Sequence, residues 1–471
     1  MIIQGGMGVG VSSWQLASAV AQRGHLGVVS GTAVAVTEAR KLADGDPDGD
    51  VRRALSQFPI PDVADRVLGR YLDADGRGGE RYRAVPRPTV DPGDALIELT
   101  VIAAFVQVWL AKDGHDGLVG INLLEKIQLP TLPTLYGAML AGVDHVLMGA
   151  GVPVKIPAVL DRLAAHADAA LPLDVTGAAP DRRHEAGFEP RRLWGEVEPV
   201  PVSRPQFLAI VSSVTLAKYL AASRTGAPDG FIVELPVAGG HNAPPRGKLN
   251  LDEAGAPVYG PRDAIDLSAI AALGLPFWLA GGYASPERVV EAQAAGAVGV
   301  QVGTAFAFCD ESGYDEVLRR AALADVRGGA AVKTDPFASP TGYPFKVLQM
   351  AGTLSDPAVS GERERLCDLG YLRELYERPD GRVGYRCPAE PVADYVAKGG
   401  AAQDTVGRQC LCNALVADIG LGQVRRDGYE EPPLVTAGDD LALVVDLLER
   451  GGSGYTAADV IDHLLPGSVP R

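Results

Sequence analysis

The chain has 471 residues, of which 47% are hydrophobic and 22% charged, as in an ordinary globular protein. This composition excludes an intrinsically disordered chain, which would lack the apolar surface needed to offset the entropy of ordering. The net charge of −16 disfavours a nucleic-acid partner, because an acidic surface repels phosphate backbones. The length allows about three domains of ordinary size, or an α/β barrel of about 250 residues with additions.

Cysteine content and hydropathy predict the compartment. Five cysteines are too few for a disulfide scaffold, and their odd number indicates a reducing environment. No uncharged apolar run reaches about 18 residues, so we expect no membrane span. No basic region precedes an apolar stretch at the N-terminus, so we expect no signal peptide. These features together predict a cytoplasmic protein.

Eight short apolar runs, taken in chain order, are interpreted as buried β-strands. They lie near Ile2 and at 26–30, 118–123, 144–148, 207–212, 230–235, 276–280 and 298–302. Helical patterns follow most of them. Ser12 and Ser13 are suited to cap the first helix, which should run to about Arg23 and stop at Gly24.

Near-continuous apolar strands separated by helices predict a parallel sheet that is buried on both faces. Eight such units close into a (β/α)8 TIM barrel, an α/β fold, with an open doubly wound sheet as the alternative. We assign residues 1–345 to the barrel, with inserted loops near 40–95 and 177–205 that are rich in Asp, Gly, Arg and Pro. Residues 346–471 are expected to form a C-terminal extension with four of the five cysteines.

Glycines follow several of these strands, at the barrel face where active sites gather. Gly5 and Gly6, followed by Met7, would let a flat ligand approach the backbone closely, although a tight turn is the alternative interpretation. Strands seven and eight end in the pairs 281–282 and 303–304. Glycines at both ends, with a threonine hydroxyl, suit a phosphate held on backbone N–H groups. The alternative is glycines that serve turns only.

Two polar side chains at strand ends are candidates for the chemistry. His241 follows Gly239 and Gly240 after the sixth strand, and an imidazole with a pKa near about 6.5 suits proton transfer. Asn122 ends the third strand and could bond the polar edge of a ring. The other six histidines have no metal-ligand spacing, so we expect no metal at the site.

In this order, these segments resemble the nitronate monooxygenase family of FMN-dependent (β/α)8 barrels. The matching segments are 3–7, 120–123, 238–241, 280–282 and 302–306, and 339–344 resembles a stretch that follows the barrel. The resemblance implies an FMN site formed by Gly5, Gly6, Met7, Asn122, Gly239, Gly240, Gly281, Gly282, Gly303 and Thr304. The first three would lie along the isoalloxazine ring, with the asparagine at its polar edge, and the last four would hold the phosphate. His241 would be the catalytic acid/base.

The activity that the resemblance implies is oxidation of nitronates or nitroalkanes with O2, giving a carbonyl compound and nitrite. The alternative is an FMN-dependent enoyl-thioester reductase of fatty-acid or polyketide assembly that uses NAD(P)H, since relatives on this barrel share the glycine–His pattern. The expected partners are a small-molecule substrate and O2, with a homodimer left open. The chain departs from the family pattern where an acidic residue usually precedes the glycines, because its nearest carboxylate is Glu234.

The extension concentrates four thiols at Cys367, Cys387, Cys410 and Cys412. Four cysteines could complete a thiolate site for zinc or an iron–sulfur cluster. The spacing lacks the usual CxxC pairing, so we favour four reduced thiols that pack as small hydrophobic groups. Cys309, just after the eighth strand, is likewise interpreted as a small buried residue.

Overall fold

Eight parallel strands form the centre of the molecule in the computed structural model, which describes residues 1–466. In chain order they are β1 (Ile2–Gln4), β2 (Gly27–Ser30), β3 (Val119–Leu124), β4 (His145–Gly149), β5 (Gln206–Val211), β6 (Gly230–Glu234), β7 (Phe277–Ala280) and β8 (Gly299–Val302). Each predicted strand is therefore present, with ends displaced by a residue or two.

The strands follow one another around a nearly closed barrel. Each pairs in parallel with the next in chain order from β2 to β8, and β8 pairs with β1. The seam between β1 and β2 is bridged at Ile3 and Leu26, where the Gln4 N–H donates to the Leu26 carbonyl at 3.0 Å. The TIM-barrel prediction is confirmed, and the open doubly wound sheet is excluded because its edge strands would remain unpaired.

Helices connect and cover these strands, as the 3.6-residue apolar spacing between them requires. The α-helices are Trp14–Gln22, Val34–Ala43, Asp50–Leu55, Pro61–Tyr71, Asp94–Lys112, Thr131–Leu140, Ile156–Ala164, Arg191–Trp194, Val214–Ala221, Leu267–Ala271, Pro286–Ala294, Thr304–Ala307, Glu316–Arg327, Pro357–Glu362, Val392–Ala397, Leu411–Ala417, Ala442–Gly451 and Ala457–Leu464, with 3-10 turns at Pro261–Asp263 and Ala402–Thr405. The first helix begins as predicted, because the Ser13 hydroxyl accepts a hydrogen bond from the Leu16 N–H.

The barrel interior is a packed apolar core. Its buried side chains come from alternate strand positions and comprise Ile3, Leu26, Val28, Leu147, Leu208, Ile232, Trp278 and Ala280. A larger cluster packs the outer faces of the strands against the helices. This packing closes the barrel below and leaves its upper, carboxyl-terminal face for a binding site.

The insertion near 40–95 leads into a helix that the sequence interpretation did not identify. Asp94–Lys112 is 19 residues long, with a mean hydropathy of 1.7 in its most apolar window, enough in length and composition to cross a membrane. In this fold 72% of that window is buried inside the protein. The helix packs against the helices Thr131–Leu140, Val34–Ala43 and Trp14–Gln22, which accounts for its burial.

Further strands lie outside the barrel, at Ala169–Pro172, Val175–Thr176, Glu185–Phe188, Val332–Asp335, Phe345–Leu348, Glu374–Glu377 and Val383–Arg386. The first and third of them pair with each other, as do the fourth and fifth. The short Val175–Thr176 strand pairs with Glu374–Glu377, which itself pairs with Val383–Arg386. The second insertion and the extension therefore share one small sheet.

The two insertions and the extension also touch one another above the barrel. Tyr82 and Gln423 exchange two hydrogen bonds, from the Tyr82 N–H at 2.9 Å and to the Tyr82 carbonyl at 3.0 Å. The Val90 N–H donates to the Tyr385 hydroxyl at 2.8 Å. We call residues 72–93, 169–205 and 346–440 the cap. The division into a barrel at 1–345 and an extension at 346–471 stays a prediction, and residues 467–471 lie outside the described part of the chain.

Candidate active site

A cavity lies between the carboxyl ends of the barrel strands and the cap. Its lining includes all of the residues that the sequence predicts for the site, namely Gly5, Gly6, Met7, Asn122, Gly239, Gly240, His241, Gly281, Gly282, Gly303 and Thr304. These residues follow five different strands, and the barrel brings them together because parallel strands all end on one face. Their convergence is a property of the fold, and the roles assigned to them stay predictions.

The loop after β1 forms a ledge without side chains on one side of this cavity. Gly6 lies so close to Asn122 that a Cβ at Gly6 would be 2.1 Å from the Asn122 Cβ. Ser12 holds the loop in place, since its hydroxyl donates to the Gly5 carbonyl and accepts from the Met7 N–H, each at 2.9 Å. A flat ring can therefore lie against the backbone here, with the Asn122 amide at its edge.

The ends of β7 and β8 form a second glycine-lined part of the cavity. Gly281 and Gly282 have φ values of 84° and 75°, a left-handed conformation that favours glycine. Gly303 has an ordinary φ of −110°, and a Cβ there would meet the Met7 sulfur at 3.5 Å. Backbone conformation therefore favours glycine at 281 and 282. At 303, glycine leaves free space that a bound group could occupy.

A stretch of the extension, residues 434–440, forms one wall of this part of the cavity, and we call it the wall segment. The Gly438 N–H donates to the Thr304 hydroxyl at 2.8 Å, across 134 residues of sequence. The Thr436 hydroxyl accepts from the Gly240 N–H at 3.0 Å, and the Asp439 N–H donates to the Val237 carbonyl at 3.1 Å. Sequence reasoning missed these residues because no local pattern marks a contact between such distant segments.

Lys346 anchors the wall segment to the rest of the protein. Its ammonium donates to both carboxylate oxygens of Asp439 at 2.8 Å and also to the Thr334 hydroxyl, and the side chain is only 2% exposed. A buried ammonium needs such partners, because its desolvation is not otherwise compensated. The Lys346–Asp439 pair therefore fixes the position of the wall segment beside Thr304.

We predict that Asp439→Asn lowers the free energy of unfolding by about 1–3 kcal/mol, the cost of weakening hydrogen bonds to a buried charge. The partly exposed Asp439 carboxylate places the effect below that of a fully buried pair. Urea denaturation measures the change. Asp446→Asn, an exposed carboxylate on the helix Ala442–Gly451, is the matched control and should change little. Equal stability of the two variants would contradict the anchoring role.

Gln301 is a further polar group that the sequence interpretation did not select. Its side chain lies against Gly5, where an added Cβ would approach the Gln301 Cδ at 3.4 Å. The amide oxygen is buried and has no hydrogen-bond partner among the described residues. An unsatisfied buried acceptor that lines a cavity indicates a ligand donor. A polar residue within the apolar run of β8 was the available sequence signal.

His241 also lines the cavity, and an antiparallel bridge to Phe345 holds its backbone. The imidazole Nε2 lies 2.7 Å from the Ser339 hydroxyl, and the ring packs edge-on against Phe345 with centroids 4.8 Å apart. Although the ring borders the cavity, surrounding protein desolvates it and lowers the His241 pKa to about 4. The imidazole is therefore neutral at neutral pH, the form that can accept a proton.

Glu234 is the second titratable group with a large shift in this cavity. It ends β6, lines the cavity, and has no hydrogen-bond or ion-pair partner among the described residues. Desolvation raises its pKa to about 7, because burial disfavours the charged carboxylate. Both Glu234 and His241 are thus driven towards their neutral forms by the same low-dielectric surroundings.

The cavity is also short of positive charge. Among the described residues that line it, none is a lysine or an arginine, and the carboxylates are Glu234 and Asp440. A phosphate here would be bound by backbone N–H groups and the Thr304 hydroxyl. Neutral or singly charged small substrates match the remaining lining, which is mostly glycine and apolar side chains.

The cysteines do not add a metal site to this picture. Within residues 1–466, no group of three or more His, Cys, Asp or Glu side chains could hold a metal ion. The Cys367 and Cys387 thiols contact each other, whereas Cys412 borders the cavity from the cap. Burial raises the pKa of the Cys412 thiol, as it does for Cys309, so neither is an activated nucleophile.

One family model matches part of the chain. Residues 203–340 match the family model described as nitronate monooxygenase. A search of curated proteins finds no match. Solved structures that resemble the chain include FabK from Thermotoga maritima, with 16% identity, a TM-score of 0.47, and 98% of this chain and 91% of that chain covered. Nitroalkane oxidase from Streptomyces ansochromogenes has 18% identity and a TM-score of 0.43, with 98% and 94% covered.

The enoyl reductase domain of MlnA from Bacillus amyloliquefaciens is similar at 14% identity and a TM-score of 0.39, with 75% and 64% covered. With TM-scores below 0.5, these three likenesses carry no weight for function. The family match itself spans β5 to β8 and includes His241, Gly303 and Ser339. The resemblance that the sequence suggests is thereby confirmed over residues 203–340, which match the nitronate monooxygenase family model.

Proposed function

We propose that this protein uses FMN to oxidise nitronates and nitroalkanes with O2, giving a carbonyl compound and nitrite. The observation that carries the proposal is the neutral imidazole of His241 in the same cavity as the glycine ledge. We further propose that the enzyme is cytoplasmic, as the cysteine content suggests.

The residues present fit FMN. The backbone of residues 5–7 offers a flat surface, and the Asn122 amide with the unsatisfied Gln301 oxygen would meet polar atoms at the edge of the ring. The glycines at 281, 282 and 303 leave room for the phosphate beside Thr304. Bound at these residues, FMN would supply the electron-transfer chemistry between the substrate and O2.

His241 would handle the proton. In the tautomer whose Nε2–H donates to the Ser339 hydroxyl, the ring Nδ1 carries no hydrogen and can accept the α-proton of a neutral nitroalkane. A pKa near about 4 makes this imidazole a weak base, so the nitronate, which has already lost that proton, is the easier substrate. The proposal therefore ranks nitronates above neutral nitroalkanes.

A comparison of two assays tests the proposal. With a nitronate, the enzyme should consume O2 and release nitrite without NADH or NADPH. The alternative reductase would oxidise NAD(P)H in the presence of a crotonyl-type thioester. Turnover of the thioester alone would replace the proposal with the alternative.

We predict a modest effect for Ser339, which orients His241 and would not touch the substrate. Ser339→Ala removes one hydrogen bond to the imidazole, so kcat should fall about 2–10-fold, the equivalent of roughly 0.5–1.5 kcal/mol. KM and FMN content should stay near the wild-type values. Ser339→Thr, which keeps the hydroxyl, should recover part of the loss. A fall as large as that of a His241 variant would contradict a purely positioning role.

A further inference from the structure

A second cavity, of about 290 Å3, lies between the helix Val34–Ala43 and the cap residues 72–83. Its volume approaches the lower end of the range for small-molecule sites, about 300–1,000 Å3. Four guanidinium groups line it, those of Arg40, Arg77, Arg81 and Arg83. This concentration of positive charge stands out in a chain with a net charge of −16.

Arg40 is the unusual member of this set. It is 3% exposed, and its Nη1 donates to the Leu421 carbonyl. No carboxylate of the described residues lies within ion-pair distance of it, although other arginines nearby, such as Arg363 and Arg425, are paired with Glu431. Desolvation accordingly lowers the Arg40 pKa to about 10. Only the carboxylates of Asp368 and Glu431, which lie beyond ion-pair distance, act on it. Buried charges are normally paired directly, so this guanidinium can take a further anionic partner.

The aromatic ring of Tyr82 holds two of the arginines in position. The guanidinium carbons of Arg40 and Arg77 lie 4.9 Å and 3.9 Å from the ring centroid, within cation–π distance. Arg77 is also fixed by Asp44, at 2.7 Å, which in turn accepts a hydrogen bond from the Tyr82 hydroxyl at 2.6 Å. The cations are thus organised before any ligand arrives, which lowers the entropy cost of binding.

We propose that this second cavity binds the phosphate group of a small phosphate monoester, with Arg40 at its base. Planar guanidinium forks match phosphate oxygens through paired hydrogen bonds, and several forks around one cavity suit a group with three terminal oxygens. Asp73 and Glu80 also line the cavity and Asp44 pairs with Arg77, so four arginines are opposed by three carboxylates. The remaining positive charge favours an anion of one or two charges.

This site is separate from the candidate active site and does not depend on the function proposed for it. Tyr82 packs in the same apolar cluster as Tyr371 and Leu372, which line the active-site cavity from the cap. Because Arg40 belongs to the barrel layer and Arg77 and Arg81 to the cap, a bound phosphate would join the two. Occupancy should therefore stabilise the cap over the barrel.

Phosphate binding to the FMN-loaded protein tests this inference. We expect calorimetric titration with inorganic phosphate, at constant ionic strength in chloride, to show saturable binding at one site per chain. Phosphate should also raise the melting temperature more than chloride does. Arg40→Met keeps the aliphatic stem and removes the charge, so affinity should fall at least tenfold. Arg81→Gln, at the exposed rim, should weaken binding less, and Arg320→Gln, on a distant exposed helix, should change nothing.

The thermal stability of Arg40→Met separates a ligand site from a structural arginine. A ligand site predicts that the variant, without phosphate, melts at or above the wild-type temperature, because an unpaired buried charge has been removed. It also predicts that phosphate no longer raises that temperature. A variant that melts lower without phosphate, together with wild-type protein that does not respond to phosphate, would overturn the proposal, as would unchanged affinity in Arg40→Met. If acetate competes as strongly as phosphate, the assigned ligand class is wrong.

Discussion

A Gly303→Leu variant is expected to purify as a folded protein that no longer retains FMN. The backbone φ of −110° at this position accommodates any residue, and an added Cβ makes only an ordinary 3.5 Å contact with the Met7 sulfur. The rest of the leucine side chain would occupy the space that the phosphate needs beside Thr304. Losing two or three charge-assisted hydrogen bonds, each worth about 1.5–3 kcal/mol, should weaken FMN binding by at least about 10²-fold.

The ratio of flavin to protein measures this loss, and circular dichroism with thermal melting tests whether the fold is intact. Gly187→Leu is the matched control, because Gly187 lies outside the cavity lining and an added Cβ there would meet no other atom within 4 Å. The control should bind FMN as the wild-type protein does. A Gly303→Leu variant that keeps stoichiometric FMN would move the phosphate away from the ends of β7 and β8.

The second large effect is expected for His241→Asn with a neutral nitroalkane. General base catalysis typically contributes about 10²–10⁴-fold, and the weak basicity of a histidine with a pKa near 4 favours the lower end, about 10². FMN should remain bound, since the residues proposed to hold it after β1, β7 and β8 are unchanged. With a preformed nitronate no proton is abstracted, so the loss should be clearly smaller. Steady-state kinetics on the two substrates measure the difference.

The pH dependence provides a second reading of the same residue. A base with a pKa of about 4 is unprotonated above that value, so wild-type turnover of the nitroalkane should rise with pH through about 4 and then lose its dependence on this group. That ionisation should disappear in His241→Asn, whereas His463→Asn, on the C-terminal helix, should retain it. An equal loss on nitronate and nitroalkane would mean that His241 orients the anion and is not the base.

The barrel was predictable because its signals are local. Each strand is a short apolar run buried on both faces. Ser13 marks the start of the first helix, because its hydroxyl accepts a hydrogen bond from the Leu16 N–H. The site residues on the strand ends were predictable for a related reason, since the topology alone brings the ends of parallel strands to one face. The glycines and His241 could therefore be collected in one cavity before any contact was known.

The cap was not predictable in this way, because its contacts join segments that are far apart in sequence. Gly438 contacts Thr304 across 134 residues, and Gln423 contacts Tyr82 across 341. Outside the cap, Ser339 contacts His241 across 98. The local sequence around these glycine and serine residues contains no pattern that predicts which distant residue each one contacts. The pKa shifts of His241 and Glu234 were not predictable either, because desolvation causes both and burial is set by the tertiary structure.

The helix Asp94–Lys112 was missed for a different physical reason. Most of its residues are buried, including those from Leu99 to Phe105, so the polar stripe of a surface helix is nearly absent. An apolar run of this kind also lay next to an insertion rich in Asp, Gly and Pro. Because the Asp, Gly and Pro residues of that neighbouring segment are typical of turns, the start of the helix was not recognised.

The most direct test of this account is the flavin content of the purified protein. The geometry of the ledge, the unsatisfied Gln301 oxygen and the glycines at Gly281 and Gly303 predict one FMN per chain. A flavin absorbance spectrum, followed by denaturation and identification of the released cofactor, gives both its amount and its chemical form. Protein that is colourless, and that remains so after incubation with FMN and desalting, would contradict the central claim.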